Sequence, residues 1–375
     1  MSLPSTMDAV VIDGDRAVVR SGVPVPTVPK GYLLVRTRAV AANPTDWKHI
    51  AWKVGPQGSI LGVDVAGEVV QLGDGVDTAQ FSKGDCVYGF VHGACVRAPE
   101  NGAFGQYAAV DSQLVFKMRS PGSTGPGVVP RGRVNTWEAA ASIPCSIMTA
   151  GETLFHHMKL EMDWQVNGPA QIPGTVLVWG AGTTLGQWVI QLLKRFHAFS
   201  RIVVVASRRH EAQLRQYGAD ELFDYHDGDV VNQIKSKHGD LIWLLDCVST
   251  RETFRQTYQC APANKPSTVF NYDMLTVDVI PETERNEKYV TVDGTLLYLI
   301  TGNPLQMGDH VFPADEQYRQ TAIKFIRYIG PYLRDGSLVH VPLKVVKGGL
   351  NAVPDMLDDV RNGRTAGHKL VTLLE

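Results

Sequence analysis

The pattern of apolar and polar positions changes character along the chain. From Met7 to about Val115, short β-branched runs (Ala9–Ile12, Tyr32–Thr37, Gly67–Val70, Asp85–Gly89) are broken by clusters of Gly, Pro and Asp. That texture predicts short strands closing into a compact barrel-like sheet. From Thr175 the apolar runs Val176–Trp179, Ile202–Ala206, Leu241–Leu245, Thr268–Phe270 and Leu296–Ile300 alternate with helical patterns such as Glu211–Tyr217 and Val230–Lys237. Such alternation predicts βαβ units and a parallel sheet wound on both faces. A helix is expected from Trp137, another over Glu316–Leu333, and strands over Leu338–Val345 and His368–Leu374. Two stretches fit neither pattern. Arg119–Arg133, rich in Pro and Gly with basic but no acidic charge, is expected to be a mobile surface loop without a regular element, a spacer or a lid. Asn271–Val292 reads as a polar, irregular, extended segment.

The most informative stretch is Thr175–Phe196. Val176–Trp179 has the uninterrupted apolar run of a strand buried on both faces, and Leu185, Trp188, Val189, Leu192, Leu193 and Phe196 lay one apolar stripe along a helix. Between them lies the turn Gly180-x-Gly182-x-x-x-Gly186. In a strand–turn–helix context, glycines allow a tight turn and close approach of a ligand, and the free N–H groups of the helix start favour a pyrophosphate. The spacing departs from the usual G-x-G-x-x-G, and a glycine-rich helix start with no ligand is the alternative. The hydroxyls of Thr183 and Thr184, with Leu185 beside them, are expected to help hold the phosphates.

An NAD-binding unit carries an acid about 20 residues past the glycines to accept the ribose hydroxyls. Here the end of the run Ile202–Ala206 leads into Ser207-Arg208-Arg209. A hydroxyl and a planar charged fork match a 2′-phosphate, so NADPH is expected and NADH is less favoured. If the arginines merely cap the strand on a solvated face, NADH stays open. Tyr225, after Leu222-Phe-Asp, is a second candidate at the adenosine end.

Composition narrows the classes. The chain has 375 residues, enough for two domains, and its 44% hydrophobic and 20% charged fractions are ordinary for a globular protein. A net charge of -2 argues against nucleic acid as a partner. No apolar stretch is long enough for a membrane helix, and Met1–Asp8 lacks the features of a secretory signal, so a cytoplasmic protein is expected. The five cysteines include no C-x-x-C, so neither a disulfide framework nor a thiolate zinc site is expected. His156 and His157, being adjacent, are expected to point to different sides of a helix.

Several further landmarks, in order, are Asn43-Pro-Thr-Asp46, Leu61–Val69, Lys83–Gly89, Gly102–Tyr107, Ala139–Pro144, the glycine turn and Gly363–Val371. With these the sequence resembles the medium-chain dehydrogenase/reductase superfamily over essentially its whole length. It looks most like the zinc-free quinone/enoyl reductase branch, and within it a fungal group of alcohol dehydrogenase-like aldehyde reductases and trans-acting enoyl reductases. The resemblance implies an α/β chain: a GroES-like β-barrel substrate domain over residues 1–147 and 310–375, and a Rossmann nucleotide-binding domain over 148–309. Zinc-dependent members carry a Cys within the segment matched by Asn43–Asp46, a His where this chain has Val63, and a lobe of four cysteines where Phe90–Gly105 holds only Cys95. No metal is therefore expected.

The implied chemistry is hydride transfer from the nicotinamide to the β-carbon of an enal, enone or enoyl thioester, a quinone, or an aldehyde carbon. Lys48 is the first candidate for a contact to the substrate oxygen, Asn43 for an orienting amide, and Thr149 for a residue facing the nicotinamide. Asp46, His49 and His92 are weaker candidates, each with a structural reading beside it. By family analogy, Asp246 and Val248 line the nicotinamide half of the cofactor and Lys369 stands where the domains join. Expected partners are a small carbonyl substrate and, in one alternative, a polyketide synthase; another alternative is an NADPH-binding protein with little turnover. Monomer and homodimer both stay open.

Overall fold

The structure is a computed structural model that describes residues 3–165 and 167–374. The chain divides into two compact units, one formed by Met1–Met148 with Tyr298–Glu375 and the other by Thr149–Leu297. The return to the first unit thus falls at Tyr298, where the sequence places it at residue 310.

Among the described residues, the second unit holds a six-stranded parallel sheet in the order Glu221–Phe223, Phe199–Val205, Ile172–Trp179, Leu241–Asp246, Ser267–Asn271, Val290–Gly294. The strand leading into the glycine turn lies inside this order, and Val176, Leu177 and Val178 are wholly buried. That burial on both faces is why their run is continuous rather than alternating. The helix Thr184–Arg195 follows, with Trp188, Val189, Leu192 and Leu193 buried along its stripe. On the other face, Phe254 and Tyr258 of the helix Arg251–Gln259 join Leu177, Val203 and Leu244 in one core cluster. This is the doubly wound arrangement of a Rossmann-type domain.

Two expectations for this unit fail. Leu296–Ile300 is not a strand: Leu297–Thr301 forms a short 3-10 turn whose Leu297, Tyr298 and Ile300 are buried, so the apolarity reflects packing of a turn. The sixth strand is Val290–Gly294, which pairs in parallel with Ser267–Asn271. It lies at the sheet edge and its pattern is only partly apolar, so it gave a weak signal. Asn271–Val292 is not simply extended either. It holds 3-10 turns at Val277–Val279 and Glu282–Glu284, and the Asn271 side chain closes its first turn, accepting from the N–H groups of Asp273 at 3.1 Å and Leu275 at 2.8 Å.

Among the described residues, the first unit contains an eight-stranded sheet and the hairpin Thr6–Asp13 with Arg16–Pro24, the GroES-like architecture. The C-terminal strand Lys369–Leu373 pairs antiparallel with Tyr32–Ala41 and parallel with Leu343–Val346. Val10, Leu33, Val40, Leu61, Phe104 and Leu370 belong to its core. The strand expected from Leu338 begins only at Leu343, after Pro342, which has no N–H to give a ladder. The helix Glu316–Asp335 opens on the Asp315 side chain and closes on Gly336, whose φ of 83° is the left-handed geometry glycine takes at little cost.

Helix begins at Trp137 but breaks after Ala141; a second helix runs over Pro144–Gly151 and continues as a π-turn over Glu152–His157. On that wider turn the rings of His156 and His157 do not diverge but meet edge to face at 5.1 Å. The Arg119–Arg133 segment is also more ordered than its composition predicts. Gly127–Val129 adds an antiparallel strand to Leu343–Val346. The wholly buried Glu138 holds the segment from inside: its Oε1 accepts from the Ser123 hydroxyl at 3.0 Å, the Thr124 N–H at 2.8 Å and hydroxyl at 3.2 Å, and the Gly125 N–H at 3.2 Å.

Glu138→Ala is therefore expected to lower stability by about 2 kcal/mol, the scale for removing hydrogen bonds to a charged group. Urea unfolding measures it, and limited proteolysis should cut faster within residues 119–133. An unchanged midpoint with an unchanged cleavage rate would show that the carboxylate does not anchor the segment.

Candidate active site

In the second unit the glycine turn is built by packing as much as by ligand space. Gly180 has φ 75°, and a Cβ there would sit 2.4 Å from the Val248 side chain; one on Gly186 would sit 2.5 Å from the Gly180 carbonyl. The N–H groups of Gly180 and Ala181 bond the Val205 carbonyl, and that of Thr183 bonds Gly180. Thr183 is the N-cap of the following helix, its hydroxyl accepting from the Gly186 N–H at 3.0 Å. Thr183 thus has a structural role beside the one expected at the phosphates, and its hydroxyl proton is not used by the cap. Among the described residues, no acceptor is paired with the N–H groups of Gly182, Thr184 and Leu185. Unpaired N–H groups at a helix start suit a pyrophosphate. The ring of His210 lies over Gly182, where a Cβ would come within 3.1 Å of it. His210 is a residue that the sequence did not single out.

At the end of Phe199–Val205, Ser207 precedes a 3-10 turn over Arg208–His210, and its side chain makes no capping bond. The Arg208 guanidinium is exposed and pairs with Asp227 at 3.3 Å. An acid does stand here, one strand over. Asp224 Oδ2 accepts from the Arg208 N–H at 3.0 Å, while Oδ1 accepts from the His226 N–H at 3.0 Å. Burial would raise this carboxyl, but those N–H groups and the His226 ring outweigh it and hold it at about 2. Asp224 is thus bound to backbone. Tyr225 is 48% exposed and packs against His226 with ring centroids 4.2 Å apart and the rings tilted by 33°.

Asp246, expected at the nicotinamide, and Lys369, expected where the domains join, both make hydrogen bonds within the protein. Asp246 is buried, with Oδ1 accepting from the Val248 N–H and Oδ2 from the Thr253 hydroxyl, so it closes the turn into the helix Arg251–Gln259. Burial raises its carboxyl to about 6. Val248 keeps its place beside Gly180. Lys369 lies in the first unit, 4% exposed, where its ammonium bonds the Asn43 side-chain oxygen and pairs with Asp64 at 3.1 Å.

That ion pair is the centre of a buried polar cluster. Asn43 is the N-cap of the helix Pro44–Ala51, set by a capping box in which Asp46 Oδ2 accepts from the Asn43 N–H at 2.8 Å. The Asn43 amide donates to Asp64 Oδ2 at 2.8 Å, and Asp64 Oδ1 accepts from the Cys145 N–H at 2.7 Å, at the start of the helix Pro144–Gly151. Asp46 is 1% exposed; burial first, then the nearby Asp64 charge, pushes its carboxyl up to about 8 despite the Asn43 bond and Lys369. Asn43 and Lys369 thus come together, but as members of a network whose hydrogen bonds are made within the protein.

Lys48, on the same helix, holds its ammonium 5.8 Å from the Trp47 ring centroid and 5.2 Å from that of Trp52. Arg361 covers Trp47 as well, at 5.6 Å. Thr149 lies on the helix Pro144–Gly151, and its carbonyl accepts from the Thr153 hydroxyl. His49 donates from Nδ1 to the Thr45 carbonyl at 2.8 Å or accepts nothing there, since a carbonyl only accepts. Its ring meets Tyr298 at 5.4 Å, and His92 meets Tyr298 at 4.3 Å. Burial lowers both imidazoles, His92 to about 3, so both are neutral at physiological pH.

The family follows from sequence. Residues 29–120 match the model for the alcohol dehydrogenase GroES-like domain, and residues 184–295 the model for zinc-binding dehydrogenase. The uncharacterized protein YNL134C of Saccharomyces cerevisiae is 48% identical over 100% of this chain and 99% of its own. The chain belongs to the medium-chain dehydrogenase/reductase superfamily. The enoyl reductase component lovC of lovastatin nonaketide synthase, from Aspergillus terreus, is 31% identical over 99% of this chain and 97% of its own. The quinone oxidoreductase of Coxiella burnetii shares the fold with a TM-score of 0.65 at 18% identity, covering 99% of this chain and 100% of its own.

One of the matching family models is described as zinc-binding dehydrogenase, and the residues present here do not fit that metal. Asn43 is committed to Lys369 and Asp64, and Val63 offers no donor atom. The Lys369 ammonium already neutralises the buried carboxylate, and a metal ion beside it would meet its charge. Among the described residues, no group of three His, Cys, Asp or Glu side chains is placed to hold a metal.

Sequence reasoning missed Asp64, Asp224, Thr45 and Tyr298 as members of these clusters. Asp64 and Asp224 were visible only as letters in a landmark and a strand, and Tyr298 was hidden in an assumed strand. Asp46 supplies a test. The unfolded chain loses this proton near the ordinary carboxylate value and the folded chain keeps it up to about 8, so stability falls as pH rises from about 4 to 8. Asp46→Asn, which keeps an acceptor for the Asn43 N–H, is expected to be more stable than the parent at pH 8 by on the order of 1 kcal/mol or more, with the gap closing toward pH 4. Urea unfolding across that range measures it, and parallel pH curves for the two proteins would contradict it.

Proposed function

We propose that the protein is a zinc-independent, NADPH-dependent reductase that transfers hydride to α,β-unsaturated carbonyls, with enals, enones and quinones as the substrate class and aldehydes beside them. The observation that carries the reading is the cofactor cradle: unpaired N–H groups at Gly182, Thr184 and Leu185 beside Ser207 and Arg208, with the neighbouring acid Asp224 bound to backbone. An acid free to accept ribose hydroxyls would favour NADH; a hydroxyl and a guanidinium favour a 2′-phosphate. The names of relatives such as lovC, an enoyl reductase component, support the substrate class.

When bound, the dinucleotide supplies the hydride. Gly180 allows the turn, Gly182, Thr184 and Leu185 offer N–H groups to the pyrophosphate, Thr183 and Thr184 add hydroxyls, and Ser207 and Arg208 take the phosphate of the ribose, with Tyr225 beside the adenosine. Val248 shapes the path past Gly180. On the substrate side Lys48, steered by Trp47 and Trp52, offers a charge to the developing oxyanion. Asn43 and Lys369 act at one remove, by fixing the helix that carries Lys48. A second reading, a reductase acting in trans on chains carried by a polyketide synthase, is favoured by the name of lovC; it predicts slow turnover of free enals and faster turnover of a carrier-bound thioester.

Initial rates with NADPH and NADH, each against trans-2-hexenal, hexanal and a benzoquinone, test the reading. NADPH with the enal or quinone is expected to lead; consumption of NADPH with hexanal alone would remove the enoyl reading, and no consumption with any of the three would leave a binding protein. Arg208→Asp is expected to raise the KM for NADPH at least 10-fold more than that for NADH. Equal change in both would place the guanidinium away from the phosphate.

A further inference from the structure

Thr45 and Tyr298, 253 positions apart in sequence, meet hydroxyl to hydroxyl in the first unit. Thr45 sits in the first turn of the helix Pro44–Ala51; Tyr298 comes from the 3-10 turn that replaces the expected strand. The phenol is 8% exposed, with His92 at 4.3 Å, His49 at 5.4 Å and Phe90 at 5.7 Å, centroid to centroid.

The hydrogen inventory of this pair does not close. Two hydroxyls carry two protons, and the bond between them uses one. Whichever oxygen donates, one O–H proton is left over, and among the described residues neither hydroxyl has a second partner. The surrounding rings do not absorb it. His49 directs Nδ1 to the Thr45 carbonyl. Thr45 is half-buried and Tyr298 buried, so when Thr45 donates the phenolic O–H is the one left over away from water, and a ligand's acceptor atom is its natural complement.

We propose that the Thr45–Tyr298 hydroxyl pair is the hydrogen-bond donor that receives the carbonyl oxygen of the substrate, with Tyr298 the catalytic contact and Thr45 its backing. The inference rests on the reductase reading and names the group that polarises the substrate within it. A bound dinucleotide would supply the hydride to the carbon and be oxidised in doing so. Electron density moves to the oxygen and is held there by the O–H, which does not dissociate. The proton that completes the saturated carbonyl comes from water. Burial keeps the phenol far above its ordinary value, consistent with a donor that stays protonated throughout. The neighbouring imidazoles, lowered by the same burial, add no charge that would compete for the oxygen.

Tyr298→Phe and Thr45→Val, singly and together, provide the test, with urea unfolding and NADPH affinity as controls for folding. Two readouts are needed. The first is kcat/KM for trans-2-hexenal with NADPH, expected to fall 10- to 100-fold in Tyr298→Phe, mostly in kcat, and by less than the product of the single effects in the double variant. The second needs no turnover: calorimetric binding of hexanamide, an unreactive carbonyl of similar length, in the presence of NADPH, expected to weaken at least 10-fold in Tyr298→Phe. If the parent turns over none of the carbonyls yet binds hexanamide through Tyr298, the reductase reading fails and the donor assignment stands. If Tyr298→Phe binds hexanamide as the parent does, or the parent does not bind it, the assignment is overturned. Unchanged turnover in a folded, NADPH-binding Tyr298→Phe overturns it as well.

Discussion

The pairing of Lys369 with Asp64 is the constraint on which the first unit depends. Asp64 opens the strand Asp64–Leu72, Lys369 opens the C-terminal strand, and Asn43 between them caps the helix Pro44–Ala51. Through its other oxygen Asp64 also holds the N–H of Cys145. One buried ion pair thus fixes the starts of four elements drawn from distant parts of the sequence. A buried charge with its partner removed is strongly destabilising, so these elements are bound to one arrangement rather than merely packed together. Asp46 extends the same logic. With Asp64 ionised nearby and little water, a second negative charge is unfavourable, and this carboxyl holds its proton well into the neutral range.

How legible this was in the sequence depends on the range of the interaction. The βαβ repeat of the second unit was readable because strands buried on both faces are written as continuous apolar runs, and their helices as stripes. The failures came where burial and regular structure part company. Leu297–Thr301 is apolar because a turn is buried; Val290–Gly294 is a strand at an edge, where only part of its side chains need be apolar. Gly127–Val129 is hidden among prolines and glycines, and it is held partly by Glu138, an acid outside the segment itself. No local pattern announces that a carboxylate further along the chain will supply the order that a composition lacks.

The candidate site shows the same division. Gly180, Gly182 and Gly186 were legible because their requirement is local: a sharp turn and a helix start. Asn43 and Lys369 were each singled out, but their roles were not, since the bond that defines them joins residues 326 positions apart. Asp246 was assigned to the cofactor by position, whereas both of its oxygens serve the turn that follows. Thr183 is divided between the two readings, its lone pair given to the helix and its proton left over. Tyr298 could not be found at all while its segment was taken for a strand, because a strand side chain there would have no reason to meet Thr45.

These commitments also decide which groups can act on a substrate oxygen. The Lys369 ammonium is attracted to Asp64 in surroundings of low dielectric, and any oxyanion would have to compete with a carboxylate that is already in place. Asn43 has given its oxygen to Lys369 and its amide to Asp64. Lys48 differs in its surroundings, its ammonium lying 5.8 Å from the Trp47 ring centroid and 5.2 Å from that of Trp52. The proposed polarisation therefore divides between a charge and a buried neutral donor. The charge is screened wherever water reaches it, whereas a buried hydroxyl loses little to solvent and needs little reorganisation when charge develops. On that ground the Tyr298 hydroxyl carries more of the proposed transition-state stabilisation than Lys48, and a change at Lys48 should shift substrate affinity more than kcat.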